Sequence, residues 1–206
     1  MTTAAPAGAR ILLVRHGQIE ANVAQRWHGS TDEDLTAHGR AQAHRVAAHL
    51  ARERPSAVAL YASPARRARS TAAPIAAALT LPVVVEPDVT EYGIGVLENE
   101  PYVDLTVRHR FFEQASADLA WAPPGGESLG AVAARVTAAW RRIAAAHAGR
   151  DVIVVSHGAA IAIGLALLLH DDPRQWSRYH SRNTAITEIL LAPPTLVTFD
   201  RVDHLD

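Results

Sequence analysis

Two short apolar runs in this chain end in the same dipeptide, and that coincidence constrains the fold more than any other feature. Ile11–Val14 runs into Arg15-His16-Gly17, and Asp151–Val155 runs into Ser156-His157-Gly158. Each reads as a buried strand delivering polar residues at its carboxyl end. Around them strands alternate with helices. Helices are predicted from Leu35-Thr36 to Arg52, with Thr36 as N-cap, from Pro64 to Leu79, and from Ser128, a second cap, to His147. One more is predicted around Val103–Gln114, and an apolar helix follows His157. Further strands are predicted at Ala57–Tyr61, Val83–Val85, Ala185–Leu191 and Leu196–Phe199. This order calls for an α/β fold, a three-layer sandwich with a mostly parallel central sheet and helices on both faces. Ligands of such sheets bind beyond the carboxyl ends of the strands, where both His-Gly pairs fall.

Composition narrows the chemistry. The chain has no Cys, and all 20 residues in the Lys+Arg total are Arg. Cysteine nucleophiles, thiolate metal sites and disulfides are excluded, as are Schiff bases and a Walker-type phosphate loop. Any phosphate chemistry falls to Arg and His. A net charge of −1 gives no field that would draw nucleic acid or an anionic membrane. The start, MTTAAPAGAR, lacks the pattern of a signal peptide, and the longest apolar stretch, Ala159–Leu169, is too short to cross a bilayer. The expectation is a cytoplasmic protein.

Several motif matches fail on context. Asp32-Glu33-Asp34-Leu35-Thr36 fits an aspartyl-phosphatase loop, but no buried strand precedes it, and a polar loop leading into a capped helix is expected. Gly126-Glu127-Ser128-Leu129-Gly130 fits a nucleophile elbow, yet Ala122-Pro123-Pro124-Gly125 cannot be a central strand, so Ser128 is read as a cap. Gly93-x-Gly95 lacks the third glycine of a dinucleotide fingerprint. His44 and His49 are off the spacing that aligns two metal ligands on a helix, and they are read with His38, His147, His170 and His180 as surface histidines.

What remains is a set of blocks. Leu13-Val14-Arg15-His16-Gly17-Gln18-Ile19-Glu20-Ala21-Asn22, then Gly29, Leu35-Thr36, Gly39 and Gln42-Ala43, resembles the opening block of the histidine phosphatase superfamily, also called phosphoglycerate-mutase-like. Ser63-Pro64-Ala65-Arg66-Arg67-Ala68 with Thr71-Ala72 is similar to the family's second arginine block. Glu91, Gly95 and Glu98 match its E-x-x-x-G-x-x-E segment, and Gly125-Gly126-Glu127-Ser128 and Ser156-His157-Gly158 complete the set. The resemblance implies one domain over 1–206 with a lid or insert around 95–126, and a metal-independent phosphatase working through a phosphohistidine without a cofactor. It assigns catalytic roles to His16, Arg15, Arg67, Glu91 and His157, and substrate binding to Gly17, Gln18, Asn22 and Gly158. Arg66 is the alternative to Arg67, and Glu86, Glu98 and Glu100 are alternatives to Glu91.

Physical chemistry agrees with those roles. Arginine forks suit phosphate oxygens, and their charge disfavours protonation of His16, leaving a nitrogen free to attack phosphorus. Arg15, Arg67 and His157 would hold the equatorial oxygens, while Glu91 would protonate the leaving alkoxide and later accept a proton from water. Ile19, Leu97, Asn99 and Ala65 depart from the family's usual Thr, Trp, Gly and Leu, which leaves the substrate open. The partner implied is a small phosphorylated metabolite. Arg108-His109-Arg110 is read as a solvated face, with a site for a second anionic group as the alternative. A mutase, a non-catalytic phospho-ligand binder and a Ser128 esterase are the rival functions. The oligomeric state, with a dimer as one option, is not specified by the sequence.

Overall fold

A computed structural model describes residues 9–206, so the first eight residues of the opening segment read above for a leader lie outside the described residues. Six strands form one sheet: β1 (Arg10–Arg15), β2 (Ala59–Ala62), β3 (Val83–Val85), β4 (Asp151–Ser156), β5 (Ile186–Leu191) and β6 (Pro194–Arg201), in the order β3-β2-β4-β1-β5-β6. The first four in that order run parallel; β5 is antiparallel to β1, and β6 to β5. The central strands are apolar on both faces, as burial on both sides requires. Leu12, Val14, Ile153 and Val155 pack toward α2 (Ala37–Glu53) and α3 (Arg66–Leu79). Ile11, Leu13, Val152 and Val154 pack toward α6 (Leu129–Ala146) and α7 (Gly158–His170) on the other face. The layered α/β architecture is the one expected.

The caps also fall where predicted. Thr36 Oγ1 accepts from Gly39 N at 2.9 Å, and Ser128 Oγ from Ala131 N at 3.1 Å. That assigns Ser128 to helix capping, and Asp32, which accepts from Arg66 N at 2.7 Å, to the start of α3. A short helix α1 (Glu20–Val23) was not anticipated.

The expected helix over Val103–Gln114 is instead two, α4 (Tyr102–Val107) and α5 (Phe111–Ala117), broken where Arg110 takes a positive φ of 49°. Leu105 and Phe111 are both fully buried. Six residues apart, they would sit about 120° from each other around one continuous helix, so the break lets both reach the core.

His49 is not a surface histidine. It is buried at the end of α2, with Arg52 at 3.2 Å from Nδ1 and Arg201 of β6 at 2.8 Å from Nε2. No helix among the described residues is long and apolar enough to cross a membrane.

Candidate active site

The parallel pairing of β1 with β4 sets Arg15 opposite Ser156, so the residues immediately beyond, His16 and His157, emerge side by side. Their ring centroids are 5.2 Å apart. The first turn past β1 is tight: Gly17 N donates to Thr71 Oγ1 at 3.0 Å, and a Cβ on Gly17 would lie 2.5 Å from the carbonyl oxygen of Gly39. Only glycine lets the loop pass this close to α2.

Each histidine has a defined tautomer. His16 Nδ1 lies 2.7 Å from the carbonyl oxygen of Gly17, which can only accept, so Nδ1 carries the proton and Nε2 the lone pair. His157 Nδ1 accepts from Arg67 Nε at 3.1 Å, and its Nε2–H donates to Ser63 Oγ at 2.7 Å. Burial, followed by the charges of Arg67 and Arg15, holds His16 well below the ordinary histidine value. Burial and Arg67 do the same to His157. Both rings are neutral at pH 7.

The two arginines divide the work. Arg67 is 1% exposed; beyond its bond to His157 it donates to the carbonyls of Thr31 at 2.7 Å, His28 at 3.1 Å and Gly29 at 2.9 Å. Four of its five N–H groups are thereby committed. Arg15 Nη1 donates to the carbonyl of Ser181, while its buried Nε has no partner. Among the described residues, neither guanidinium has a carboxylate within ion-pair distance. Arg66, the sequence alternative, is exposed and pairs with Asp34 at 3.6 Å.

A cleft of about 160 Å³ is lined in part by Arg15, Glu91, Gly158, Ala159 and Ser181, among them chain neighbours of both histidines; His16, Arg67 and His157 are buried and are not among its lining residues. Glu91 Oε2 accepts from Ala159 N at 3.1 Å, and Oε1 from Ala160 N at 2.8 Å and Tyr92 N at 2.9 Å. The carboxyl group is therefore fixed against the first turn of α7, facing the cleft.

Its competitors are elsewhere. Glu86 caps a 3₁₀ turn by accepting from Asp88 N at 3.0 Å. Glu100 is 3.9 Å from His109. Glu98 accepts from the N–H groups of Gly29, Ser30, Thr31 and Ile94. Burial pushes the Glu98 carboxyl up, but those four donors outweigh it and hold it below the usual range. The loop 28–31 is thus gripped from both sides, its N–H groups by Glu98 and its carbonyls by Arg67.

Gly158 lies under Arg15; a Cβ there would be 3.3 Å from the guanidinium carbon. Asn22 Oδ1 accepts from Ile19 N and from Asn183 Nδ2, both at 3.1 Å, so it shapes the loop after His16. The Gln18 side chain turns to the cap of α2, accepting from Thr36 Oγ1 at 3.0 Å. The grip of His157 on a phosphoryl oxygen, expected from the sequence, meets an obstacle, because both its ring nitrogens are occupied.

Three contributors had no sequence signal. Ser181 reaches the cleft from the segment before β5, and its buried Oγ lacks a partner. Asn183 Nδ2 donates to the carbonyl of His16 at 3.0 Å. Arg135 on α6 makes two 2.7 Å bonds to Glu127 and donates to the carbonyls of Asp88, Thr90 and Glu91, fixing the backbone that carries Glu91. Arg108, His109 and Arg110 do not line the cleft, and Arg110 pairs with Glu113 at the surface.

The strand ends thus bring together two neutral histidines and two arginines that, among the described residues, no carboxylate ion-pairs, a donor set suited to an anion. The chain belongs to the histidine phosphatase superfamily (branch 1), whose profile matches residues 11–198. Over 164 residues it is 38% identical to a bifunctional protein of Mycobacterium tuberculosis, covering 78% of this chain and 44% of that protein; it spans less than half that relative's length. It is 38% identical over 157 residues to a metal-independent phosphoserine phosphatase of Arabidopsis thaliana, covering 73% of this chain and 65% of that protein. The crystal structure of a phosphoserine phosphatase from Entamoeba histolytica in complex with 3-phosphoglyceric acid superposes with a TM-score of 0.85 at 26% identity, covering 96% of this chain and 100% of that one.

Proposed function

We propose that the protein is a metal-independent phosphoric monoester hydrolase that acts on small phosphorylated metabolites through a phosphohistidine on His16. The observation that carries this reading is the Gly17 carbonyl on His16 Nδ1, which leaves the Nε2 lone pair as the nucleophile in a ring kept neutral by burial and two arginines. His16 Nε2 attacks phosphorus, the bond to the alcohol oxygen breaks, and that oxygen takes a proton from Glu91. Water then attacks the phosphohistidine, its proton passes to Glu91, and His16 leaves with its electron pair restored. Arg15, through its unpartnered Nε, and the remaining Nη1–H of Arg67 stabilise the equatorial oxygens. His157 acts by holding Arg67; to bind the phosphoryl group itself it must release Ser63. The segment 95–126 is the lid in this reading, contributing Tyr102 and Phe112 to the cleft wall.

The leaving group tests the role of Glu91. An alkoxide needs its proton in the transition state, whereas nitrophenolate scarcely does. Glu91→Gln should lower turnover of an alkyl phosphate by ~10²-fold or more. The phosphorylation burst with nitrophenyl phosphate should be much less affected. Equal losses with both esters would assign Glu91 to support of the site.

A further inference from the structure

The phosphoryl end of the cleft is polar, but the space into which the alcohol portion must extend is aromatic. Trp27, Tyr102, Phe112 and Trp176 come together here from four separate segments. Trp27 meets Tyr102, Phe112 and Trp176 at centroid distances of 5.8, 6.1 and 6.3 Å, and Phe112 meets Trp176 at 5.9 Å. Trp27 and Trp176 are almost wholly buried, which fixes the rings before any ligand arrives. A second pocket of about 340 Å³ adjoins the cleft, sharing Phe112, Trp176 and the exposed His180 as lining.

A second negative charge on the alcohol portion would find no second arginine in the cleft; apart from Arg15, the groups there without a partner include the neutral Ser181 hydroxyl and the exposed His180. Among the described residues Arg15 is the only arginine lining the cleft. His28 Nε2 has Asn99 Oδ1 at 3.1 Å, and its Nδ1, which makes no hydrogen bond, faces the Glu33 carboxylate at 3.1 Å, a like charge to an incoming anion. Arg174, in the second pocket, pairs with Asp172 at 3.2 Å and donates to the carbonyl of Ser116 at 2.9 Å.

We propose that the preferred substrates are phosphate monoesters of alcohols that carry a planar aromatic or heteroaromatic ring and no second anionic group. The ring lies against Phe112 and Trp176, where a π-face gains both apolar burial and stacking. This rests on the phosphatase reading of the same site, and the experiment separates the two.

Hydrolysis of 2-phenylethyl phosphate, n-butyl phosphate and phosphoserine is measured in parallel. The first two have alkoxide leaving groups of similar basicity and differ in the ring. The account expects kcat/KM for 2-phenylethyl phosphate at least tenfold above that for n-butyl phosphate and above that for phosphoserine. Trp176→Leu and Phe112→Leu should each erase most of the difference between the first two. Binding of 2-phenylethyl and n-butyl phosphate to His16→Ala, followed by tryptophan fluorescence, should show the same preference in Kd. Hydrolysis of all three at equal rates, or preference for phosphoserine, would overturn the ring assignment and leave the phosphatase reading intact. Absence of turnover with every ester would overturn the phosphatase reading, and the Kd ratio then decides the ring assignment: tenfold or more supports it, equality rejects it.

Discussion

Two regions of this molecule gather buried charge, at opposite ends of the central strands, and they treat it in opposite ways. At one end Glu188 of β5, 2% exposed, is surrounded by Arg54 at 2.8 Å, Arg10 at 3.4 Å and Arg201 at 3.5 Å. Arg10 and Arg54 also approach Asp151. That cluster is compensated internally. At the other end Arg67 is as deeply buried, yet its partners are backbone carbonyls and a neutral imidazole, and Arg15 keeps a buried N–H without a partner. Carbonyls hold a guanidinium in place without cancelling its charge. The difference teaches how the same residue type serves two ends: a directly paired carboxylate neutralises the arginines around Glu188, whereas Arg67 feels carboxylates only beyond ion-pair distance and, in the proposed function, keeps its charge for the phosphoryl group.

That comparison breaks most visibly at Arg67. Arg67→Met should lower kcat/KM by ~10²–10³-fold, the scale of losing one preorganised donor to transition-state charge, and Arg67→Lys should recover only part of it. Steady-state kinetics with an alkyl phosphate checks this. Glu188→Gln attacks the other region. Removing the counter-charge of three arginines should destabilise the fold by about 3 kcal/mol in urea titration, while kcat/KM of the folded fraction stays within twofold. A large activity loss without a stability loss would contradict the division.

A smaller effect follows from pH. The folded-state values of His16 and His157 lie below that of an exposed histidine, and burial holds His204 down at about 4. Between about 6.5 and those depressed values the unfolded chain binds more protons than the folded one, so stability falls as pH falls through that window. The urea midpoint should be lower at pH 5 than at pH 7. For the same reason the His16 acid limb of kcat/KM should lie well below 6.5. The smallest effect expected is that of chelation. Among the described residues no group of three or more His, Asp or Glu side chains is placed to hold a metal ion, and dialysis against EDTA should leave kcat nearly unchanged. Activity restored only by Mg²⁺ or Zn²⁺ would contradict the mechanism.

Much of this was legible in the sequence because its signals are local. The strand runs, the Thr36 and Ser128 caps and the two His-Gly ends depend on neighbours along the chain, and the parallel register of β1 and β4 then makes adjacent ends meet. The division of labour between Arg15 and Arg67 was not legible, since both carry the same fork and only the fold decides which donors meet carbonyls. Ser181, Asn183 and Arg135 were missed because the site residues they hold, Arg15, His16 and Glu91, lie 44 or more residues away. His49 was misplaced for the same reason: it is covered by Arg201, 152 residues on. The Val103–Gln114 break was hidden because Leu105 and Phe111 look compatible with one helix until both are required in the core.

The central claim is that the neutral Nε2 of His16 takes the phosphoryl group. Rapid quenching of the enzyme with substrate labelled in the phosphoryl group, followed by peptide mapping, tests it directly. The account predicts a label on His16 that is lost in acid and kept in base, and no label in His16→Ala. A label that survives acid, or one that maps to Asp32, Asp34 or Ser128, would contradict it.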